Sequence, residues 1–273
     1  MRVLIIAGFF GSMALLGNTY GQYEKVYYND TTFETESYKV EIDNIVALPK
    51  EVKFRMSVTN KTSDWVLYNP NESKFEIGGE SLDTKDKFIL IPPYDSKKKV
   101  LRAVGVNLNN ARSFNFVCEG FYKVTLKEAV ATPEFRLPAS SNELVVGNFK
   151  IILANSLKET RRTIVKFNIT YNGEGLAFIS PAKISVKMPD GNLYATTRSK
   201  ADVFAIKKGE TESTSASWDR MEGGTKMDMQ LVEMLIHFEG VFQESTQTKI
   251  DKTVIPLYWN DALTIGKGKS QGN

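Results

Sequence analysis

The sequence predicts an all-β protein built from two antiparallel β-sandwiches that are related by internal duplication. Three observations predict it. Apolar residues recur at every second position, which is typical of strands with one buried face. Several short motifs occur twice in the same order, which indicates a duplication. A break rich in Pro and Ser separates the two copies, and proline removes backbone donors that a continuous sheet would need.

The clearest alternation lies at 52–58 and 165–171, where apolar residues alternate with Lys, Arg, Ser, Asn and Thr. Both runs contain Val-Lys-Phe, and the runs lead to Asn60 and Asn172. The apolar members are Val52, Phe54, Met56 and Val58 in the first run and Val165, Phe167, Ile169 and Tyr171 in the second. Each run therefore predicts a strand with one buried face.

The same sequence of features follows each alternating run. An apolar stretch leads to Pro70 in the first copy and to Pro181 in the second, and another short alternating strand comes next. Asp190-Gly191 then supplies the positive φ that a tight hairpin turn needs. Further matches lie upstream, at 38–42 and 149–153, and downstream, at 116–121 and 236–241.

These matches define the predicted domains. The repeats span 37–138 and 148–261, and each is close to the size of an immunoglobulin-like sandwich, about 100 residues. A linker is predicted at 139–147, a loose N-terminal segment at 22–36 and a flexible tail at 262–273. Pro133 and Pro256 occupy matching places near the repeat ends, which favours an edge strand or a strand that changes sheet.

One segment fits two structures. Leu231, Met234, Leu235 and Phe238 have the spacing of one helical face. The matching segment of the first repeat, 113–118, alternates and is rich in Phe and Asn, which disfavours a helix. Both segments are therefore predicted to be strands.

The N-terminus predicts export. Arg2 precedes the apolar run 3–16, which is too short to span a bilayer comfortably. Small residues before Gln22 predict that residues 1–21 form a signal peptide cleaved at that point. No later stretch is apolar enough for a transmembrane helix. A periplasmic or secreted protein is expected.

Composition excludes several function classes. The 35 basic and 32 acidic residues nearly cancel, so no strong field would attract nucleic acid. One His and one Cys leave little for a catalytic triad, a Cys-His pair or a zinc site. The sequence thus predicts a non-enzymatic protein without cofactor or metal. Cys118 lies on the alternation with Phe114 and Phe116, so it is expected to be buried.

The candidate binding residues are the three tryptophans, Trp218, Trp65 and Trp259. An exposed Trp can stack on a sugar ring or anchor a protein interface. Trp218 has the most loop-like surroundings, so it is the strongest candidate.

A hydrolase would need paired carboxylates, for which the sequence offers Glu34 with Glu36, Asp83 with Asp86, and Asp219 with Glu222.

The chain resembles secreted bacterial immunoglobulin-like modules of the telokin-like type. The resemblance lies in the predicted signal peptide, the repeat, the Asn-turn-Pro motifs and Asp190-Gly191. The resemblance implies a β-sandwich with a binding or structural role and transfers no site residue. A second resemblance is to two-domain periplasmic pilus chaperones. That family departs from this chain because its two domains are not near-copies, and no basic cleft pair is found here.

The expected function is therefore an exported adaptor that presents its sandwiches to an envelope or extracellular protein. Edge strands carry unpaired N–H and C=O groups, so strand addition is the natural mechanism. The alternative is a carbohydrate-binding module that stacks a glycan on Trp218. A periplasmic chaperone and a hydrolase are the weaker alternatives.

Overall fold

A computed structural model of the chain describes residues 23–220 and 228–267. The predicted signal peptide, 1–21, and its cleavage point before Gln22 lie outside these ranges. The described chain is all-β, as predicted, and its strands pair in antiparallel sheets. Within it, no helix is long and apolar enough to cross a bilayer.

The strands up to residue 138 are called the N-terminal half and the later ones the C-terminal half. The N-terminal half contains β1 (Val26–Tyr27), β2 (Thr31–Glu34), β3 (Tyr38–Ala47), β4 (Glu51–Asn60), β5 (Trp65–Tyr68), β6 (Lys74–Ile77), β7 (Glu80–Asp83), β8 (Ile89–Ile91), β9 (Ser96–Val104), β10 (Ser113–Cys118), β11 (Phe121–Ala129) and β12 (Phe135–Leu137). The C-terminal half contains β13 (Glu143–Val146), β14 (Phe149–Glu159), β15 (Arg162–Tyr171), β16 (Leu176–Ile179), β17 (Ser185–Lys187), β18 (Leu193–Ala195), β19 (Phe204–Lys207), β20 (Thr211–Asp219), β21 (Met234–His237), β22 (Phe242–Lys249), β23 (Thr253–Tyr258) and the helix α1 (Asp261–Lys267).

Four sheets lie mainly within one half or the other, and a fifth joins the halves. The four have the strand orders β1-β3-β4-β9 with β2 beside β3, β13-β14-β15-β20, β23-β10-β6-β7 and β12-β21-β17-β18. The fifth, called the shared sheet, has the order β19-β16-β22-β11-β5-β8. Its central pair, β11 and β22, brings together strands from both halves.

The last strand of each half pairs in a sheet of the other half. β23 lies along β10, with Ile255 opposite Phe116. β12 lies along β21, with Phe135 opposite Ile236. Pro256 lies within β23, which is an edge strand and has changed sheet, as the proline predicted. The strand exchange means that backbone pairing crosses the predicted domain boundary in both directions.

Buried apolar side chains form three cores. The first core lies between β3, β4 and β9 on one side and β6, β10 and β23 on the other, and it contains Phe54, Phe75 and Phe116 with ring centroids about 5 Å apart. The second core has the corresponding place in the C-terminal half. The first two cores include residues from one face of the shared sheet, such as Val66 and Ala177. The third core lies on the opposite face of that sheet and contains Leu67, Val124, Leu176 and Phe178. It receives side chains from both halves.

The segments predicted to be loose are in part ordered, which corrects the prediction. Val26 is fully buried in the first core, although 22–36 looked too polar to pack. The predicted tail begins within α1, where Thr264 Oγ1 accepts a hydrogen bond from Tyr27 N–H at 3.0 Å. The predicted linker, 139–147, contains β13, which pairs with β14. Contacts distant in sequence order the two terminal segments, whereas the predicted linker is ordered by a tight hairpin between β13 and β14.

Two local predictions are confirmed. The ambiguous segment contains a strand, β21, and Leu231 of the apparent helical stripe is 82% exposed. Asp190-Gly191 forms the hairpin turn between β17 and β18. There Gly191 has φ 84° and its N–H donates to the Met188 carbonyl at 2.9 Å. A side chain at this φ would be strained, which explains why glycine occupies the position.

Candidate binding edge on strand β20

Strand β20 is the last strand of its sheet and therefore has one edge without a neighbouring strand. Its other edge pairs with β15 over nine residues, from Thr211 opposite Thr170 to Asp219 opposite Arg162. In an antiparallel pair, successive residues direct their backbone groups alternately toward and away from the partner strand. The hydrogen bonds at the ends of β20 establish which residues point away.

The residues with odd numbers point away from β15. At one end, Arg220 N–H donates to the Arg161 carbonyl at 2.8 Å, so the even-numbered residues face β15. In agreement, Ser217 turns both backbone groups outward: its N–H donates to Thr196 Oγ1 at 3.1 Å and its carbonyl accepts from Thr197 N–H at 2.8 Å. The outward residues before Ser217 are Thr211, Ser213 and Ser215.

The backbone N–H and C=O groups of Thr211, Ser213 and Ser215 on this outer edge have no hydrogen-bond partner in the described part of the chain. Thr211 and Ser213 are exposed and Ser215 is half-buried. The segment around Thr196 covers only the Ser217 end. The three residues therefore form an accessible edge, called the open edge here.

The side chains of the open edge are held in place by short polar contacts. Thr211 Oγ1 lies 2.7 Å from Thr170 Oγ1, and Ser213 Oγ donates to Asn168 Oδ1 at 2.7 Å. Ser215 Oγ accepts from the Arg198 guanidinium at 2.7 Å. These contacts fix the strand without occupying its outward backbone groups.

The other edges of the described sheets are protected or short. At the two ends of β9, Asn60 N–H donates to the Asp95 carbonyl and Gly105 N–H donates to the Lys50 carbonyl, so the odd-numbered residues of β9 face β4. The even-numbered residues, which include Lys98 and Arg102, therefore point outward. Charged side chains on an edge discourage pairing with another strand. On β23, Pro256 has no N–H to offer and the Tyr258 carbonyl accepts from Asn29 N–H at 2.9 Å. The remaining edge strands are two to four residues long.

No known family model matches the chain, and no curated protein is significantly similar to it.

The strongest sequence candidate, Trp218, is not a surface residue. It is fully buried in the second core, and its Nε1–H donates to the Tyr194 carbonyl at 3.2 Å. The expectation of a loop was wrong because the inward residues preceding it, Thr214 and Ala216, are too small or polar to reveal the alternation. Trp218 has no free face on which a sugar could stack.

The other two tryptophans are half-buried. Trp65 packs in the third core with its ring 5.3 Å from that of Phe178. Trp259 is covered by the Arg112 guanidinium, 3.6 Å from the ring centroid, and by the edge of Tyr23. The structure brings no two of the three tryptophans into one site. The open edge was missed by sequence reasoning, although alternating Ser and Thr without Lys or Pro was a signal for it.

Three of the carboxylates considered for hydrolysis, Glu34, Asp83 and Asp86, are engaged in ion pairs. Glu34 lies 2.7 Å from Lys61 Nζ, and Asp86 lies 2.8 Å from Lys99 Nζ. Glu222 lies outside the described residues. Among the described residues, no three His, Cys, Asp or Glu side chains form a group that could hold a metal ion. His237 lies beside Glu134, with Nε2 3.1 Å from Oε1.

Cys118 is buried in the first core, as predicted, with 1% of its surface exposed. Burial raises the pKa of its thiol, so the thiol stays protonated. We expect a chromogenic disulfide reagent to leave Cys118 unmodified in the folded protein and to react with it fully in denaturing urea. The measurement is thiol release followed by absorbance. Rapid, complete reaction without urea would contradict the expectation.

Proposed function

We propose that this chain is an exported, non-enzymatic binding protein that takes up an extended segment of an envelope or extracellular protein as an added strand on β20. The observation that carries the proposal is the open edge, Thr211, Ser213 and Ser215, whose outward backbone groups have no partner in the described chain. An added strand would satisfy these groups, and pockets for its alternate side chains would give specificity. Export rests on the predicted signal peptide.

We also propose that the two halves are duplicated immunoglobulin-like sandwiches. The order β3-β4-β9 in the N-terminal half matches β14-β15-β20 in the C-terminal half, and β10-β6-β7 matches β21-β17-β18. The shared sheet has matching strands on the two sides of its centre. These orders support the duplication predicted from the repeated motifs. In the proposed alignment, β9 and β20 are equivalent, and only β9 kept its charged edge.

The charges beside the open edge indicate which segment would bind. Lys166 lies directly opposite Ser215 on β15, and the Arg198 guanidinium contacts Ser215 from the other side. Both cationic side chains lie at the centre of the exposed face. An added strand would therefore be favoured if it carried Asp or Glu at alternate positions.

The test replaces one outward N–H. In Ser213→Pro, the open edge loses a central donor, whereas proline on the outward side of an edge strand leaves the pairing with β15 intact. The matched control is Val100→Pro, at the equivalent outward position of β9. We expect crosslinking in native envelope, followed by mass spectrometry, to recover the same partner with wild type and Val100→Pro and to lose it with Ser213→Pro.

Retention of the partner by Ser213→Pro, with both variants folded, would overturn strand addition. Amide exchange gives a second readout, because the N–H groups of Thr211, Ser213 and Ser215 should become protected only in the complex.

A further inference from the structure

The shared sheet is curled so that side chains at its two edges come into contact. β19 and β8 stand at opposite ends of the strand order, yet Lys207 at the end of β19 places its Nζ 4.5 Å from the ring centroid of Phe88, just before β8. A flat sheet of six strands would hold its edges more than 20 Å apart, at about 4.8 Å per strand spacing. The sheet therefore wraps around the third core in the manner of a partly closed barrel.

One end of this curled sheet is open and contains a pocket of about 320 Å³, called the mouth here. Its floor is formed by Leu67 and Leu176, which are 4% and 2% exposed, and its walls include the rings of Phe88 and Tyr122. Gln247 is exposed at the rim. The mouths of β-barrels are frequent sites for small ligands, and 320 Å³ lies within the usual size range.

The negative charge of the acidic group in the mouth, Glu72, is already compensated by neighbouring groups. The Glu72 carboxylate accepts hydrogen bonds from the Tyr122 hydroxyl at 2.8 Å, from Asn69 at 2.9 Å and from Lys249 Nζ at 3.0 Å. Burial disfavours the charge of Glu72, but the hydrogen bonds from Tyr122, Lys249 and Asn69 outweigh this effect and lower its pKa. Lys249 also pairs with Glu119 at 2.6 Å. Glu72, Glu119 and Lys249 therefore pair with one another.

The basic groups of the mouth are less balanced. Lys208 pairs with Glu174. Lys207 makes no ion pair with any carboxylate of the described chain, and its contact there is the face of Phe88. Beyond Phe88 a second depression also contains Lys207, and there Lys85, Lys87 and Lys207 are balanced by Asp86, Glu210 and Glu212. The mouth is lined by two lysines, Lys207 and Lys208, and by one carboxylate, Glu72. An anion would meet less repulsion on the mouth side.

We propose that the mouth binds a small amphiphile with one anionic group, whose apolar part packs against the half-buried rings of Phe88 and Tyr122 and whose anion pairs with Lys207. Apolar contact with the rings supplies affinity, and the cation beside the ring wall selects for negative charge. The site lies on the shared sheet, and although a three-residue turn joins Lys207 to Thr211 of the open edge, it does not depend on strand addition.

The test is calorimetric titration of the chain from Gln22 with octanoate, below its micellar concentration, and with octan-1-ol as the uncharged counterpart. We expect saturable binding of octanoate, about tenfold weaker binding in Lys207→Gln, and weaker binding of octan-1-ol than of octanoate. The matched control is Lys123→Gln, which removes a lysine of the same sheet that pairs with Asp64 at 3.0 Å outside the mouth. That variant should bind like wild type.

A second variant fills the mouth without touching the core. Gln247→Trp adds a large side chain at an exposed rim position, beside Gly175, so it should abolish octanoate binding while the protein stays folded. The proposal would be overturned if octanoate did not bind, if octan-1-ol bound as tightly, or if Lys207→Gln and Lys123→Gln had equal effects.

Discussion

Leu257→Asp is expected to unfold the N-terminal half of the protein, although residue 257 lies more than a hundred positions beyond it. Leu257 is 1% exposed and fills the first core from β23, opposite Phe114 of β10. Truncating a buried Leu to Ala costs about 2–5 kcal/mol, and an unpaired buried carboxylate costs more. Because a typical domain is stable by only about 5–15 kcal/mol, the loss should be decisive.

The matched control for this experiment is Val254→Asp on the same strand. Val254 is 50% exposed on the outer face, so a carboxylate there remains in water. Near-ultraviolet circular dichroism and urea unfolding should give a native Val254→Asp and an unfolded or strongly destabilised Leu257→Asp. Equal stability of the two variants would contradict the strand exchange.

The exchange also predicts complementation by a peptide. A chain that ends after Lys252 lacks β23, so β10 loses six paired residues and the first core loses Ile255 and Leu257. A peptide with the sequence 251–262, added in excess, should restore near-ultraviolet dichroism, whereas the same peptide with Leu257→Asp should not.

Trp218→Ala is expected to lower the free energy of unfolding by about 3–5 kcal/mol, the usual cost of removing a buried Trp or Phe. Trp218 is fully buried among the side chains of the second core, and its indole N–H donates to Tyr194. Its removal leaves a cavity and takes one hydrogen bond from the Tyr194 carbonyl. Urea unfolding followed by circular dichroism measures the loss.

Tyr258→Ala is the aromatic control, because Tyr258 lies in a strand but is 60% exposed. It should change the unfolding free energy by less than about 1 kcal/mol. If Trp218→Ala kept wild-type stability, the buried position of the indole would be refuted, and Trp218 would again be a candidate for stacking on a ligand.

Much of the strand structure was predictable, because a strand with one buried face records its orientation in its own residues. Val52, Phe54 and Met56 in β4 alternate with solvated residues, and all three are buried. β20 was harder to read because its inward positions begin with Thr214 and Ala216. Its large inward residue, Trp218, was therefore interpreted as part of a loop.

The candidate site was less predictable than the strands. Whether Ser213 belongs to an open edge depends on which strands lie beside β20, and its neighbour β15 begins some fifty residues earlier in the chain. The mouth depends on contact between Phe88 and Lys207, which no spacing along the sequence indicates.

The sequence by itself determined the strand periodicity, the order of the repeated motifs and the glycine turn at Asp190-Gly191, because these depend on neighbouring residues and their φ preferences. Only the tertiary structure decided that β12 and β23 each pair in a sheet of the other half, that β11 and β22 join the halves in one sheet, and that β20 keeps an open edge. Alternation specifies which face of a strand is buried. Which strand lies beside which is decided by long-range burial and backbone hydrogen bonding. Many strands of one sequence could meet these requirements almost equally well.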